Sequence, residues 1–259
     1  MDSKLSLNQS FQAISEKTAA LPAYALKLIA MAAMLLDHIG AIILDRCFLV
    51  PMVEAGNSLP AALTFLYGAL RVIGRVSYPI FSFLLVEGFL KTRNLRKYLL
   101  RLGLFAVISE VPFDFAVFGV PLEFTSQNNI LTLFICLLML ICMKKVGDKW
   151  YLSLPITAAA AALTAVLHTD YAVTIPVLVA AFYIFREEGM FKFIVCGTII
   201  LIANMQSYAP YSIIAGLLAL CLIIFCYNGT EGKKLGIRVY AFYPVHLVIL
   251  GIIAFLILN

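Results

Sequence analysis

Apolar residues run along the whole length of this chain in long blocks separated by short polar breaks. Blocks of about 18 or more apolar residues cross a bilayer as helices. Read against the breaks, the spans fall at 26–49, 59–90, 98–119, 129–143, 150–167, 171–185, 191–205, 210–227 and 239–258. The breaks carry turn residues: Gly147-Asp148, Glu188-Gly189 and Asn228-Gly229. Several spans are short for a bilayer and imply tilt or partial insertion. The block at 59–90 is too long for one straight helix, and Gly74, Ser77 and Pro79 mark where it kinks or breaks. The expectation is an all-α, polytopic membrane bundle of about nine to ten transmembrane helices. A single domain covers 26–259, behind a polar segment at 1–25 that lacks the apolar core and cleavage site of a signal peptide.

Composition agrees. The chain is 63% hydrophobic and 13% charged, with a mean hydropathy of +1.00; soluble domains are nearer half apolar and a quarter charged. No polar stretch is long enough for a soluble domain. The six cysteines show no paired or metal-ligand spacing. Cys47 is placed near an outer loop, and Cys136, Cys142, Cys196, Cys221 and Cys226 read as small packing residues. No metal is expected.

Basic residues orient the spans. With 59–90 counted as one crossing, one set of alternate loops holds Lys4, Lys17, Lys91, Arg93, Arg96, Lys97, Lys144, Lys145, Lys149, Arg186, Lys192, Lys233, Lys234 and Arg238. The other holds essentially Arg46. The N-terminus is therefore expected in the cytoplasm and the C-terminus outside.

Some ionisable residues have no loop to occupy, and a charge inside a span is costly enough to point to function. His38 lies about 16 Å into the first span and Glu110 about 18 Å into the third, at 1.5 Å per residue. Arg75 lies near the middle of the long second block, and Asp37, Arg71 and Asp114 flank this level. Adjacent on a helix, Asp37 and His38 point about 100° apart and do not simply pair. Arg75 or Arg71 is the natural partner of Asp37 or Glu110, which leaves His38 as a base with a near-neutral pKa. The bland readings are specific too: a buried ion pair that fixes helix register, His246 as a satisfied core histidine, and His168 with Asp170 as a cap at an outer turn. Glu87-Gly88 suits either close packing or a cofactor contact. No Walker, Rossmann, zinc or serine-triad pattern occurs. A polar, histidine-containing cavity reached from a basic face fits a membrane-embedded group-transfer enzyme, and equally a proton-coupled transporter.

The stretch GRVSYPIFSFLLVEGFLKTRNLRKYLLRLGLFAVISEVPFDFA (74–116) resembles the TraX family. So do LLDHIG, QNNILTLF (127–134), the HTDYA turn and FYPVHLVIL near the end. The resemblance covers about 26–258 in order. It implies an acetyltransferase of the bacterial cytoplasmic membrane that acetylates the N-terminal amine of pilin in conjugation, with acetyl-CoA as donor. The family is similar in turn to a superfamily of transmembrane acyltransferases, many of which carry an arginine, ten residues, then a histidine in the first span. Here the pattern is Lys27, ten residues, His38; lysine keeps the charge and loses the bidentate fork.

On this reading His38 is the general base, oriented by Asp37 or through a neighbour by Glu110, and Arg75 stabilises the oxyanion. Direct transfer and an acetyl-histidine both remain open. Lys27, Arg71, Glu87, Arg93, Arg96, Lys97 and His246 are candidates for acetyl-CoA. Asp114, Asn128, His168, Asp170 and Tyr243 are candidates for the acceptor, whether peptide N-terminus, glycan or small molecule. Lipid, acetyl-CoA and acceptor are the expected partners, and nucleic acid is not. Competing classes are a transporter, for which the halves show no repeat, and an assembly factor, against which the density of buried charge counts.

Overall fold

A computed structural model describes residues 13–14, 16–147, 149–205 and 211–259. Of the 1–25 segment, residues 1–12 and 15 lie outside the described residues, and so do Lys4 and Asp148. From residue 23 on, the described residues form ten helices in order: α1 (Ala23–Glu54), α2 (Ala61–Gly74), α3 (Ser77–Lys91), α4 (Leu95–Phe118), α5 (Asn129–Val146), α6 (Trp150–Val166), α7 (Thr174–Ile184), α8 (Gly189–Met205), α9 (Tyr211–Cys226) and α10 (Arg238–Leu258). The described residues form no strand, only two isolated bridges. Four stretches are long and apolar enough to cross a membrane: Ala23–Glu54, Ala61–Lys91, Asn129–Val146 and Arg238–Leu258. The shorter α6 to α9 are apolar as well. Large apolar side chains such as Phe65, Val107 and Leu256 are more than 70% exposed, an outward-facing apolar surface suited to lipid.

The 59–90 block is two helices. Pro79 has no N–H to give the Arg75 carbonyl and its ring crowds that group. The chain accordingly tightens there, with Arg75 N–H donating to Val72 O and Val76 N–H to Ile73 O, both at 3.1 Å. Ser77 Oγ donates to Gly74 O at 2.8 Å and closes the break. α1 runs longer than the apolar block that marks it, and from Ile39 to Leu49 it widens into a π-helix beginning directly after His38. Cys47 sits inside this stretch, buried, with its thiol on Ile42 O, and not at a loop.

α4 starts at Asn94, whose side chain accepts the Lys97 amide. It ends at Gly119, whose φ of 81° lets its amide reach Asp114 O and Phe115 O. Arg46 donates to the same end, at Phe115 O and Ala116 O; the residue that the sequence placed in a loop lies on α1 and caps α4.

α7 is the central helix, buried on every side from Ile175 to Phe182 except Val177, and packed by α3, α5, α6 and α8. α10 lies along α4 and against α1. One end of the bundle gathers residues 20–24, the C-terminus of α3 and the α9–α10 segment: Leu21 pairs with Tyr227 and Lys91 Nζ donates to Gly229 O at 2.8 Å.

Candidate functional site

His38 is the last residue of α1 before its π-helical stretch, and His246 lies on α10, one turn beyond Phe242. Their rings stack at a centroid distance of 4.9 Å, and His38 Nδ1 meets His246 Nε2 at 2.6 Å. The other nitrogen of His246, Nδ1, faces Phe242 O at 2.7 Å. A carbonyl only accepts, so His246 Nδ1 carries the hydrogen there. With both rings neutral, His246 Nε2 is then an acceptor, His38 Nδ1–H donates to it, and the lone pair of His38 Nε2 is free. A backbone carbonyl thus fixes, through two rings, which nitrogen of His38 can take a proton. Tyr243, fully enclosed by its neighbours, stands edge-on to both rings at 5.8 and 5.6 Å.

The carboxylate of Asp37 turns away from His38. It accepts from Arg71 Nη1 at 2.9 Å, and its Oδ1 is buried without a partner. Gly74 admits it: a Cβ at residue 74 would overlap the Asp37 side chain. Arg75 donates to the Tyr171 hydroxyl and lies 5.5 Å from that ring's centroid, while Tyr171 stacks on Tyr78 at 4.7 Å. The 168–171 turn carries both residues in positive φ, His168 at 51° and Tyr171 at 54°, a conformation rarely adopted by large side chains. It is zipped to the 127–129 segment: Gln127 N–H donates to His168 O and Asp170 N–H to Gln127 O, both at 3.1 Å. Asp170 thereby joins Asp37, Arg71 and Arg75 in one electrostatic cluster. His168 stays exposed outside it.

Glu110 accepts from Asn128 Nδ2 and touches neither arginine. Asn128 also donates to Ala106 O at 2.9 Å and caps α5 by accepting the Leu131 amide. Asp114 accepts the Glu123 amide at 2.9 Å and braces the loop after α4. These three residues fasten α4 to α5.

Below the histidines a cavity of about 480 Å³ opens at the end of the bundle that holds residues 20–24 and 227–236. Lys27, Lys91, Arg101 and Lys234 line it with Glu87 and Glu231, and Met34, Phe81 and Leu133 form apolar wall. Tyr243 and Asn129 line it too, Tyr243 being the wall residue in ring contact with the histidines. Tyr243 OH accepts the Asn129 amide at 3.4 Å, and Asn129 Oδ1 is buried with no partner. Lys27, Met34 and His38 fall on one face of α1, since eleven residues at 100° return to within about 20° of the start. Glu87 and Lys91 form an ion pair, and Tyr227 O–H donates to Glu87 at 2.6 Å. Tyr227 lies past the end of α9, and burial, followed by that hydrogen bond, pushes its hydroxyl up to about 12.

A family profile described as TraX protein matches residues 23–254, which carry every group named in this site. The chain belongs to the TraX family. It is 31% identical over 248 residues to the probable fimbrial assembly protein FimC, serogroup H1, of Dichelobacter nodosus, covering 88% of this chain and 93% of that protein. No solved structure matches the chain.

In this TraX-family protein, the residues singled out by sequence separate into groups. His38, His246 and Tyr243 come together, and the partner of His38 is His246, not Asp37 or Glu110. Asp37, Arg71, Arg75 and Asp170 form the neighbouring cluster, with Arg75 given to Tyr171 and to neither carboxylate expected for it. Lys27 and Glu87 line the cavity; Arg93, Arg96, Lys97 and Arg71 do not. Asn129, Tyr171, Arg101 and Lys234 were missed. Asn129 and Tyr171 sit in motifs already singled out, QNNILTLF and HTDYA, which was the available signal. Arg101 and Lys234 look like ordinary loop-flanking cations.

Proposed function

We propose that this TraX-family protein is an integral-membrane acyltransferase of the bacterial cytoplasmic membrane that moves an acetyl group from acetyl-CoA to an amine or hydroxyl acceptor. The observation that carries this reading is the His38–His246 pair, with its free Nε2, set above a cavity that is basic at one level, apolar in its wall and polar at Tyr243 and Asn129. That sequence of surfaces suits an anionic nucleotide, a pantetheine arm and a thioester carbonyl. The thioester supplies the activated carbonyl carbon. His38 Nε2 takes the proton of the acceptor N–H or O–H as that group attacks the carbon. The Tyr243 hydroxyl, whose oxygen accepts the Asn129 backbone amide, donates its own hydrogen to the carbonyl oxygen as charge gathers on it. Arg75, committed to Tyr171, holds the 168–171 turn in this account. His38 then returns the proton to the departing sulfur, so one N–C or O–C bond forms, one S–C bond breaks, and the protein is regenerated.

The N-terminus and the basic loops face the cytoplasm in this proposal, with nine crossings counting α2 and α3 as one. Support comes from the basic loops, which fall on the end where the cavity opens. The relative named for fimbrial assembly favours a fimbrial subunit's N-terminal amine as acceptor. Intact-mass analysis of surface fimbrial subunits tests this. A one-acetyl difference lost on deleting the gene, and not restored by a His38→Asn protein present at normal level, is the expected result. Equal masses in all strains would remove the fimbrial acceptor.

A further inference from the structure

The segment 227–237 between α9 and α10 reads YNGTEGKKLGI, and three of its residues, Gly229, Gly232 and Gly236, hold φ of 76°, 68° and 58°. Its first half is not a free loop. Asn228 N–H donates to Leu21 O, Ala23 N–H to Thr230 O and Tyr24 N–H to Glu231 O, at 2.8–3.0 Å. Gly232 packs on Pro22 and Tyr24 so closely that a Cβ there would meet both. Held in this way, Glu231, Lys234, Leu235 and Gly236 form wall of the same cavity that reaches Tyr243 and Asn129. Among the described residues, no group receives the backbone amides of residues 232–236. Successive amides around left-handed glycines make a concavity that attracts anions.

Charge points the same way. Lys91 and Glu87 on the wall are committed to each other and to Tyr227. The remaining charged wall residues are Lys27, Arg101 and Lys234 against Glu231 alone. Lys27 and Lys234 have no ion pair or hydrogen bond among the described residues. Arg101 rests over the Tyr240 ring, 5.7 Å from its centroid, and hydrogen-bonds the Tyr240 hydroxyl, which leaves the rest of its five-donor fork for a ligand. Lys27 stands about 16 Å from His38 along the same face of α1, a separation of the order that an extended pantetheine arm covers.

We infer that segment 228–236, with Lys27 and Arg101 on the other walls, is a clamp for the phosphate groups of the acyl donor's nucleotide. The inference deepens the acyltransferase reading and rests on it for the identity of the ligand. The clamp selects a donor by its phosphates, at a distance from the carbonyl that reacts. It therefore governs donor affinity and the choice between donors.

The test compares two acetyl donors on purified protein in nanodiscs, acetyl-CoA and the phosphate-free S-acetylpantetheine. The calorimetric affinity for CoA is measured in parallel. Lys234→Gln and Arg101→Gln each lower the preference for acetyl-CoA, and the CoA affinity, by about tenfold, in the range of a charge-assisted hydrogen bond. Lys234→Arg retains most of both. Melting curves matching wild type, expected for substitutions at exposed cations, show that the variants are folded. Unchanged preference and affinity in both Gln variants would overturn the clamp, as would a wild-type protein that does not bind CoA. Loss of CoA affinity in Lys234→Gln, in a protein that turns over neither thioester, would leave the clamp standing and remove acyl transfer.

Discussion

At the scale of residues, the central feature is a backbone carbonyl that acts on His38 through His246. Phe242 O sets the tautomer of His246, and His246 sets that of His38. His246→Phe keeps a flat ring in the stack and removes the acceptor for His38 Nδ1–H. Acetyl transfer is expected to fall by about a hundredfold, with His246→Gln, which restores an acceptor oxygen, falling less; equal activity of wild type and His246→Phe in a thioester assay would contradict this. A second residue-scale prediction concerns Gly74. Its Cα faces the Asp37 side chain with no space for a methyl group. Gly74→Ala should lose about 1–3 kcal/mol of stability as the Asp37–Arg71 pair is displaced, seen as a lower melting temperature in detergent. Individual residues were the most legible level of the sequence. Asp37, His38, Arg71, Arg75 and Glu110 stand out because an ionisable group in an apolar run is costly. Their partners were not legible. His38 and His246 are 208 residues apart, and which helices bring such residues together is decided by packing over the whole bundle.

Elements tell a different story. The break between α2 and α3 was readable because Pro79 cannot complete a helix across Arg75. The π-helical stretch after His38 was not, since no residue type in 39–49 demands it. Nor was the inward course of the 168–171 turn, which depends on positive φ at two non-glycine residues and on pairing with residues 127–129. The turn that the sequence offered either as an interfacial cap or as a source of acceptor contacts carries Asp170 and Tyr171 to the charged cluster. Close helix packing offers a test at this scale. A Cβ on Gly251 of α10 would lie 2.7 Å from the Phe115 ring and 3.3 Å from Ala116 Cα on α4. Gly251→Leu should separate α10 from α4, lower the melting temperature, and draw His246 off His38 so that activity falls with stability. A Gly251→Leu protein as stable and active as wild type would show that this contact does not position the histidine.

For the whole molecule, the sequence foretold an all-helical chain with apolar stretches long enough to cross a membrane, and the helices fall close to the apolar blocks. The cavity escaped it because its wall is assembled from α1, α3, α4, α5, α10 and the 227–236 segment, no two of which announce a common space. The arrangement joins three features that a scaffold would not need together: a basic opening, an enclosed polar level and a histidine with one nitrogen left free. The most direct test is thioester loss from acetyl-CoA, without added acceptor, on purified wild-type and His38→Ala protein in nanodiscs. Saturable CoA-thioester binding by both, with slow hydrolysis only in wild type, is the expected result. Hydrolysis at the same rate in folded His38→Ala would contradict the role of His38. No binding and no turnover in folded wild type would contradict acyl transfer itself and make the buried charges a candidate path for protons or solutes.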